Sequence, residues 1–420
     1  MSRSIVLGSL DWLRDKDPRR TLGQASILAR LKAEPDIKAI SVEFAVNRPG
    51  FRRERVLAAI LNSIVDRSTV VAIGAYVWNE PVVKWLLPEL RRAGLRGMIV
   101  LGGPQISYAP RGIDATYPDA DVFVRGYGED ALLRLLAGGD PIPGVTRQGR
   151  DDSEVRAEID LTSLPSPYLT GVLTPQAFMR WETQRGCDFP CAFCQHRESG
   201  LRLPSRKLDK ARINAEIEFF VEHGVEDIAV LDPVFNTDPA HAVDVLTRFA
   251  MRGYMGRLSL QCRFEYVTPE FLDACKLLNV RLEFGLQTIH RAEMQAVRRT
   301  NNIPKAEQVI GELLRRQIDF EVSLIYGLPE QTLQSFQASI QWCREHSVPR
   351  VCAFPLMLLR GTPLHRDRAV WALVENDDAI PLVVESNTFT RSAWESMHEI
   401  AKALSADDRH AQLAAPVEVL

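Results

Sequence analysis

The sequence predicts an α/β protein in two parts: a doubly wound parallel sheet over residues 1–140 and a partial (β/α)6 barrel over residues 173–363, with a small helical carboxyl-terminal cap over residues 364–420. Three observations predict it. Short β-branched runs alternate with amphipathic stretches through the first 140 residues, and a second alternation with six strand-like runs begins near residue 173. Between them, residues 141–172 crowd proline, glycine and charge together without a sustained period, which reads as a linker. Alternation of this kind is what a parallel sheet covered by helices requires.

In the first part, SIVLGSL, IKAISVEF, VVAIGAY, GMIVLGGP and DVFVRGYGE read as strands, with helices near residues 24–33, 53–65, 81–93 and 129–136. Ligands of such sheets gather at the carboxyl ends of the strands. That rule puts the loops at residues 10–23, 76–79, 102–105 and 126–129 on one rim, where glycines and aromatics suit a large, flat ligand. In the second part, strands are expected near residues 178–183, 228–232, 258–262, 282–285, 320–326 and 351–355, with helices such as 211–223, 240–252 and 333–346 between them. Barrels likewise carry their functional groups at the carboxyl ends of the strands.

Composition excludes several classes of function. A net charge of −3 over 420 residues sets up no field that would recruit nucleic acid or an anionic membrane. The arginines lie beside acids and form no basic stripe with interleaved aromatics. The apolar run VVAIGAYVW is far shorter than the roughly 18 residues a membrane helix needs, and the first residues lack the order of a signal peptide. Seven cysteines, an odd number without regular spacing, argue against a disulfide framework. The expectation is a cytoplasmic protein with neither membrane nor nucleic-acid partner.

The chemistry is concentrated in RGCDFPCAFCQHR, where Cys187, Cys191 and Cys194 form CxxxCxxC on the loop after the first barrel strand. A structural zinc site would recruit His196 as a fourth ligand, but such sites usually join two separate knuckles and no second knuckle exists here. A cubane of four irons normally takes four thiolates, so three leave one iron open to a small chelating molecule. With Phe193 before the third cysteine, the motif resembles the radical S-adenosylmethionine enzymes, and the resemblance covers about residues 175–365. It implies a 4Fe-4S cluster on Cys187, Cys191 and Cys194, S-adenosylmethionine as cofactor and an external electron donor. It also implies cofactor contacts from Phe193, Asp232 in VLDPVFN, Arg263 and Glu265 in LQCRFE, Glu283 and Gln287 in LEFGLQT, and Tyr326 in LIYGLPEQT. Asp232 and Pro233 stand where the family usually has glycine.

Placed before such a barrel, the first domain resembles the Rossmann-like cobalamin-binding domain of the cobalamin-dependent radical S-adenosylmethionine enzymes, through YVWNE, VLGGPQISYAP and VRGYGEDALL. The resemblance implies corrin contacts from Tyr76, Val77 and Trp78. It further implies contacts to the nucleotide tail from Gly102, Gly103, Pro104, Gln105, Gly126, Tyr127, Gly128 and Glu129. No histidine precedes His196, so this domain offers cobalt no imidazole. The related methylthiotransferases need three further cysteines in that domain, and none precedes Cys187.

The family's commonest reaction is methylation, so the expectation is methyl transfer from S-adenosylmethionine to a carbon of a natural-product precursor, a small molecule or a peptide. Carbon 2 of tryptophan, the target of the thiopeptide tryptophan methyltransferases, is the most specific candidate. Rearrangement or cyclisation with a non-methylating cobalamin is the alternative enzyme, and a zinc-binding scaffold the alternative without catalysis.

Overall fold

Eight of the nine residues of the first strand, β1 (Arg3–Asp11), are buried, so this strand has cover on both faces, as the centre of a doubly wound sheet must. The structure, a computed structural model, describes residues 3–196 and 203–407. It divides into two units, Met1–Gln176 with Leu208–Glu216 and Ala177–Lys207 with Ile217–Leu420.

In the first unit, chain order runs β1, α1 (Leu22–Lys32), β2 (Ile37–Ala45), α2 (Arg53–Asn62), β3 (Val70–Gly74), α3 (Glu80–Arg92) and β4 (Ile99–Gly102). The short helices α4 (Pro104–Ser107) and α5 (Ile113–Thr116) follow, then β5 (Val122–Val124), α6 (Gly128–Leu136) and β6 (Val145–Arg147). The sheet order is β2-β1-β3-β4-β5-β6, parallel except for the last pair. Val6, Val71, Ile73, Ile99 and Leu101 of the sheet pack on Val56 and Ile60 of α2 and on Val83, Leu86, Leu87 and Leu90 of α3. Because β2 and β3 lie on opposite sides of β1, the chain leaves β1 and β3 in opposite directions, which opens a crevice at their carboxyl ends.

Residues 141–172, expected to be a linker, are instead woven into this unit. β6 is the edge strand of the sheet, and Ala157 bonds to Arg125 and Tyr127 through its backbone. The Arg125 side chain, 1% exposed, donates to the carbonyls of Ile106, Ala109 and Pro110 and to both carboxylate oxygens of Asp152. One guanidinium thus saturates the loop after β4 and clasps it to a residue of the supposed linker.

In the second unit, β7 (Phe178–Trp181) leads into an antiparallel hairpin, β8 (Gln184–Cys187) with β9 (Leu203–Lys207), which the sequence pattern does not announce. Then come α7 (Lys210–Glu222), which the division into units splits after Glu216, β10 (Asp227–Val230), α8 (Pro239–Met251), β11 (Arg257–Cys262), α9 (Pro269–Cys275), β12 (Asn279–Gln287), α10 (Arg291–Ala296) and α11 (Ile303–Arg316). β13 (Asp319–Tyr326), α12 (Leu333–Glu345) and β14 (Val351–Pro355) complete the barrel. Its six strands run parallel in the order β14-β13-β12-β11-β10-β7, as consecutive βα units should. The helices start where the sequence supplies caps: the side chains of Asp238, Thr268, Asn302 and Thr332 accept the first free N–H groups of α8, α9, α11 and α12. The remainder holds α13 (Pro363–Arg366), a hairpin of β15 (Val374–Glu375) and β16 (Val383–Glu385), and α14 (Arg391–Asp407), so the cap is not purely helical. No described helix is long and apolar enough to cross a membrane.

Asp152 makes the clasp testable. Burial alone would raise its carboxyl, but the Arg125 hydrogen bonds and charge and the Glu154 N–H outweigh that and hold it below the ordinary 3.8. Asp152→Ala, which strands a buried guanidinium, should cost about 3–5 kcal/mol in urea unfolding at pH 7. A depressed carboxyl stabilises above its unfolded value, so the gap between wild type and Asp152→Asn should narrow as pH falls below 3.8.

Candidate functional site

In the second unit the site begins at the carboxyl end of β7, where the chain turns into β8 and brings Cys187 to the end of that strand. Cys191 and Cys194 follow on the loop, which is fixed through the peptide groups of Ala192. The Ala192 N–H donates to the Val297 carbonyl at 2.8 Å, and its carbonyl accepts from Leu364 N–H at 2.9 Å. Gln195 adds a bond from its side-chain amide to the Arg360 carbonyl at 2.9 Å. Backbone groups of Val297, Arg360 and Leu364 therefore set the loop's shape without drawing on the thiols.

Cys191 is buried and the other two thiols half-buried. Burial pushes the Cys194 thiol up to about 12, with the nearby Cys191 and Cys187 adding to it and the His196 N–H and Arg299 opposing. Cys187 is raised for the same leading reason, against the Phe189 N–H and the charges of Arg299 and Arg263. The three thiols are thus close enough to feel one another. Yet among the described residues no three His, Cys, Asp or Glu side chains converge on a point that would hold one metal ion. Three thiols grouped on one loop are a donor set that fits a cluster held at three of its irons.

Around this loop, Arg263 is 6% exposed and lies with its guanidinium 4.1 Å from the centre of the Phe189 ring. It donates to Glu265 at 3.1 Å and to the Thr300 carbonyl at 2.9 Å. Glu265 also accepts the Asn302 N–H at 3.0 Å; burial raises its carboxyl, but Arg263 and Asn302 hold it below the ordinary value. Gln287 ends β12 in a left-handed conformation, φ 70°, at a bulge opposite β13. Glu283 lies deeper along the same strand face and accepts from Gln261 on β11. Phe193 is half-buried beside Cys194.

Two of the expected cofactor contacts are engaged elsewhere. Asp232 has no exposed surface, and its carboxylate accepts from the Thr183 N–H, the Thr183 hydroxyl and the Gln184 N–H, which anchors the β7–β8 junction. The Tyr326 hydroxyl pairs with His398 Nδ1 of α14 at 2.7 Å, and His398 stacks on Trp394. Both residues position chain segments. Sequence reasoning missed Arg299, whose Nη1 donates to Cys191 Sγ at 3.6 Å while Nη2 donates to the Gly285 carbonyl. The only signal available was an arginine pair ahead of the Asn302 cap.

In the first unit, the Tyr76 and Trp78 rings stack at 4.6 Å, 15° from parallel, on the loop after β3 beside the crevice. The fully buried Asn79 fixes that loop by donating to the Leu10 and Gly74 carbonyls and accepting the Tyr76 N–H, and the Trp78 indole also donates to Leu10. Val77 is half-buried between them in sequence. Gly103, φ 86°, is required because a Cβ would meet the Ala75 carbonyl at 2.8 Å; Gly126, φ 85°, because one would meet the Ala157 carbonyl at 2.6 Å. Gly102, Pro104 and the buried Gln105 follow β4, while Tyr127 and Gly128 lead into α6, where the buried Glu129 accepts from Ser26 at 2.9 Å. Trp12, just after β1, keeps its indole N–H buried without a partner among the described residues, a donor free for a ligand.

The radical SAM superfamily model matches residues 181–343. This part of the chain is a radical SAM domain. Among curated proteins, the chain is 26% identical to the cobalamin-dependent radical SAM methyltransferase TokK of Streptomyces tokunonensis, over 87% of this chain and 60% of that protein. It is 28% identical to 2-(S-pantetheinyl)-carbapenam-3-carboxylate methyltransferase of Streptantibioticus cattleyicolor, over 77% of this chain and 54% of that one. The chain therefore spans less than two thirds of either relative. Among solved structures, the radical S-adenosylmethionine methyltransferase TsrM from Kitasatospora setae, with cobalamin and a [4Fe-4S] cluster bound, superposes with a TM-score of 0.71. That match covers 94% of this chain and 85% of TsrM at 17% identity, a likeness of fold.

Inside the radical SAM domain, Asp232 supplies a pH test. Burial raises its carboxyl to about 7 even against three hydrogen bonds, from an ordinary 3.8. A raised carboxyl favours the fold most below its unfolded value and loses that contribution as pH climbs toward the folded one. Wild-type stability should thus fall by on the order of a few kcal/mol between pH 4 and pH 7 from this group alone. Asp232→Asn should flatten that slope in urea midpoints taken across the range.

Proposed function

We propose that the protein is a cobalamin-dependent, S-adenosylmethionine-using C-methyltransferase acting on a small natural-product precursor. The observation that carries it is the loop of Cys187, Cys191 and Cys194, shaped by the backbone of Ala192 and offering three thiols and no fourth. When bound, the cluster supplies one-electron chemistry and an iron open to S-adenosylmethionine, and the corrin supplies a cobalt that accepts and passes on methyl.

The chain's own residues then have distinct tasks. The three thiols hold the cluster. Arg263 presses on Phe189 and holds Thr300, so it keeps the cysteine loop and the approach to α11 in register. Gln287 at the end of β12 and Glu265 in the turn after β11 would orient S-adenosylmethionine. In the first unit, the stacked Tyr76 and Trp78 offer a flat apolar surface suited to a corrin, and Trp12 an unused donor. Residues 102–105 and 126–129 would hold the nucleotide tail.

Tryptophan carbon 2 is the first substrate to test, since a TsrM structure of the same fold holds tryptophan substrate. Protein purified without oxygen and reconstituted should bind about four irons per chain, and Cys187→Ala, Cys191→Ala and Cys194→Ala should each lose most of them. Trp78→Ala should weaken corrin uptake about tenfold by absorption titration, the size expected for losing a large aromatic contact. A colourless product containing zinc would sink the reading. With a low-potential one-electron donor present, mass spectrometry of candidate substrates should show the gain of one methylene unit with release of S-adenosylhomocysteine. Stoichiometric 5′-deoxyadenosine would assign the radical route, and its absence the polar route.

A further inference from the structure

Arg299 does something the assigned cofactor contacts do not. Its Nη1 lies 3.6 Å from Cys191 Sγ and donates to it, and its Nη2 donates to the Gly285 carbonyl. Its Nε is buried without a partner, and among the described residues no carboxylate forms an ion pair with this guanidinium. Arg263, a second cation near the loop, differs in just this respect, because Glu265 sits 3.1 Å from its Nε and offsets its charge. Among the described residues, Arg299 is therefore a guanidinium that reaches the Cys191 sulfur with no carboxylate paired to it.

We infer that Arg299 sets the reduction potential of the cluster held by Cys187, Cys191 and Cys194, by hydrogen bonding to the Cys191 sulfur and by its uncompensated positive charge. The inference rests on the functional reading above. Reduction adds one electron, from an external one-electron donor, to a group already surrounded by thiolate anions; no proton or bond changes. A cation in contact with one of those sulfurs favours the more negative state, and hydrogen bonds to the sulfurs act in the same direction. The potential should thus sit higher with Arg299 in place than without it.

Gly285 supplies an independent handle on the same contact. A Cβ at this position would stand 2.6 Å from Gln287 Nε2 and 3.3 Å from Arg299 Nη2, both ends of flexible side chains. Gly285→Ala should therefore displace the Gln287 amide and crowd the guanidinium, shifting it by a few tenths of an ångström, without removing its charge or touching a cluster ligand.

The experiment is a dye-mediated redox titration of reconstituted protein without S-adenosylmethionine, followed by electron paramagnetic resonance, with titanium(III) citrate as reductant. Arg299→Gln should lower the reduced-to-oxidised ratio at fixed potential about tenfold, equivalent to about 59 mV for a one-electron couple. Arg299→Lys, which keeps the charge, should recover most of that shift, and Gly285→Ala should move the midpoint the same way by less. If Arg299→Gln holds its iron and its midpoint matches wild type, the inference is overturned. Should Arg299→Gln fail to hold iron, Gly285→Ala decides: an unmoved midpoint there overturns the inference equally. Wild type that takes up no iron would instead overturn the functional reading, so the two failures are separable.

Discussion

Charge on buried sulfur is the constraint around which the second unit is built. Burial makes Cys187 and Cys194 reluctant acids, and each neighbouring thiol makes ionisation harder still. Such thiols keep their protons until a strongly positive metal core displaces them. A metal bound here would not also have to shape the loop, because the Ala192 peptide is bonded to both Val297 and Leu364. Asp232 finishes the task from beneath by tying Thr183 and Gln184 at the root of the cysteine strand.

The two sheets meet water differently, and their residues show it. β1 is buried along nearly all its length, whereas β12 and β13 alternate buried and half-buried positions. On the barrel strands the half-buried face is polar: Gln261, Glu283 and Glu321 stand in register across β11, β12 and β13. Arg257, Arg281 and Arg350 pair with Asp227 and Asp319 nearer the start of those strands. A packed barrel would fill that face with branched aliphatic side chains; this one keeps it hydrophilic.

Much of this was legible in the sequence, because strand–helix alternation and the cysteine spacing are local signals. All six barrel strands are where the alternation puts them, within a few residues, and the strand order follows from consecutive βα connections. What escaped was decided by contacts between distant residues. Asp232 and Tyr326 stand at strand ends, where cofactor contacts are expected, and their side chains also bond partners 49 and 72 positions away. Arg299 reaches Cys191 across 108 positions, a pairing no periodicity encodes. The β8–β9 hairpin was hidden for another reason: glycine, proline and charge around the cysteines read as loop, although Gln184 and Arg185 pair with Lys207 and Arg206.

The Arg125 clasp bears on how this protein can be taken apart. A gene fragment stopped at residue 140, where the alternation first breaks, would omit Asp152 and the Ala157 backbone. Its translated product would enclose a cation with no anion to meet it and would leave the last strand of the sheet unmade. Dissection into expressible halves therefore has to fall beyond that segment, and a shorter piece that misbehaves in isolation says nothing about whether the sheet can fold unaided.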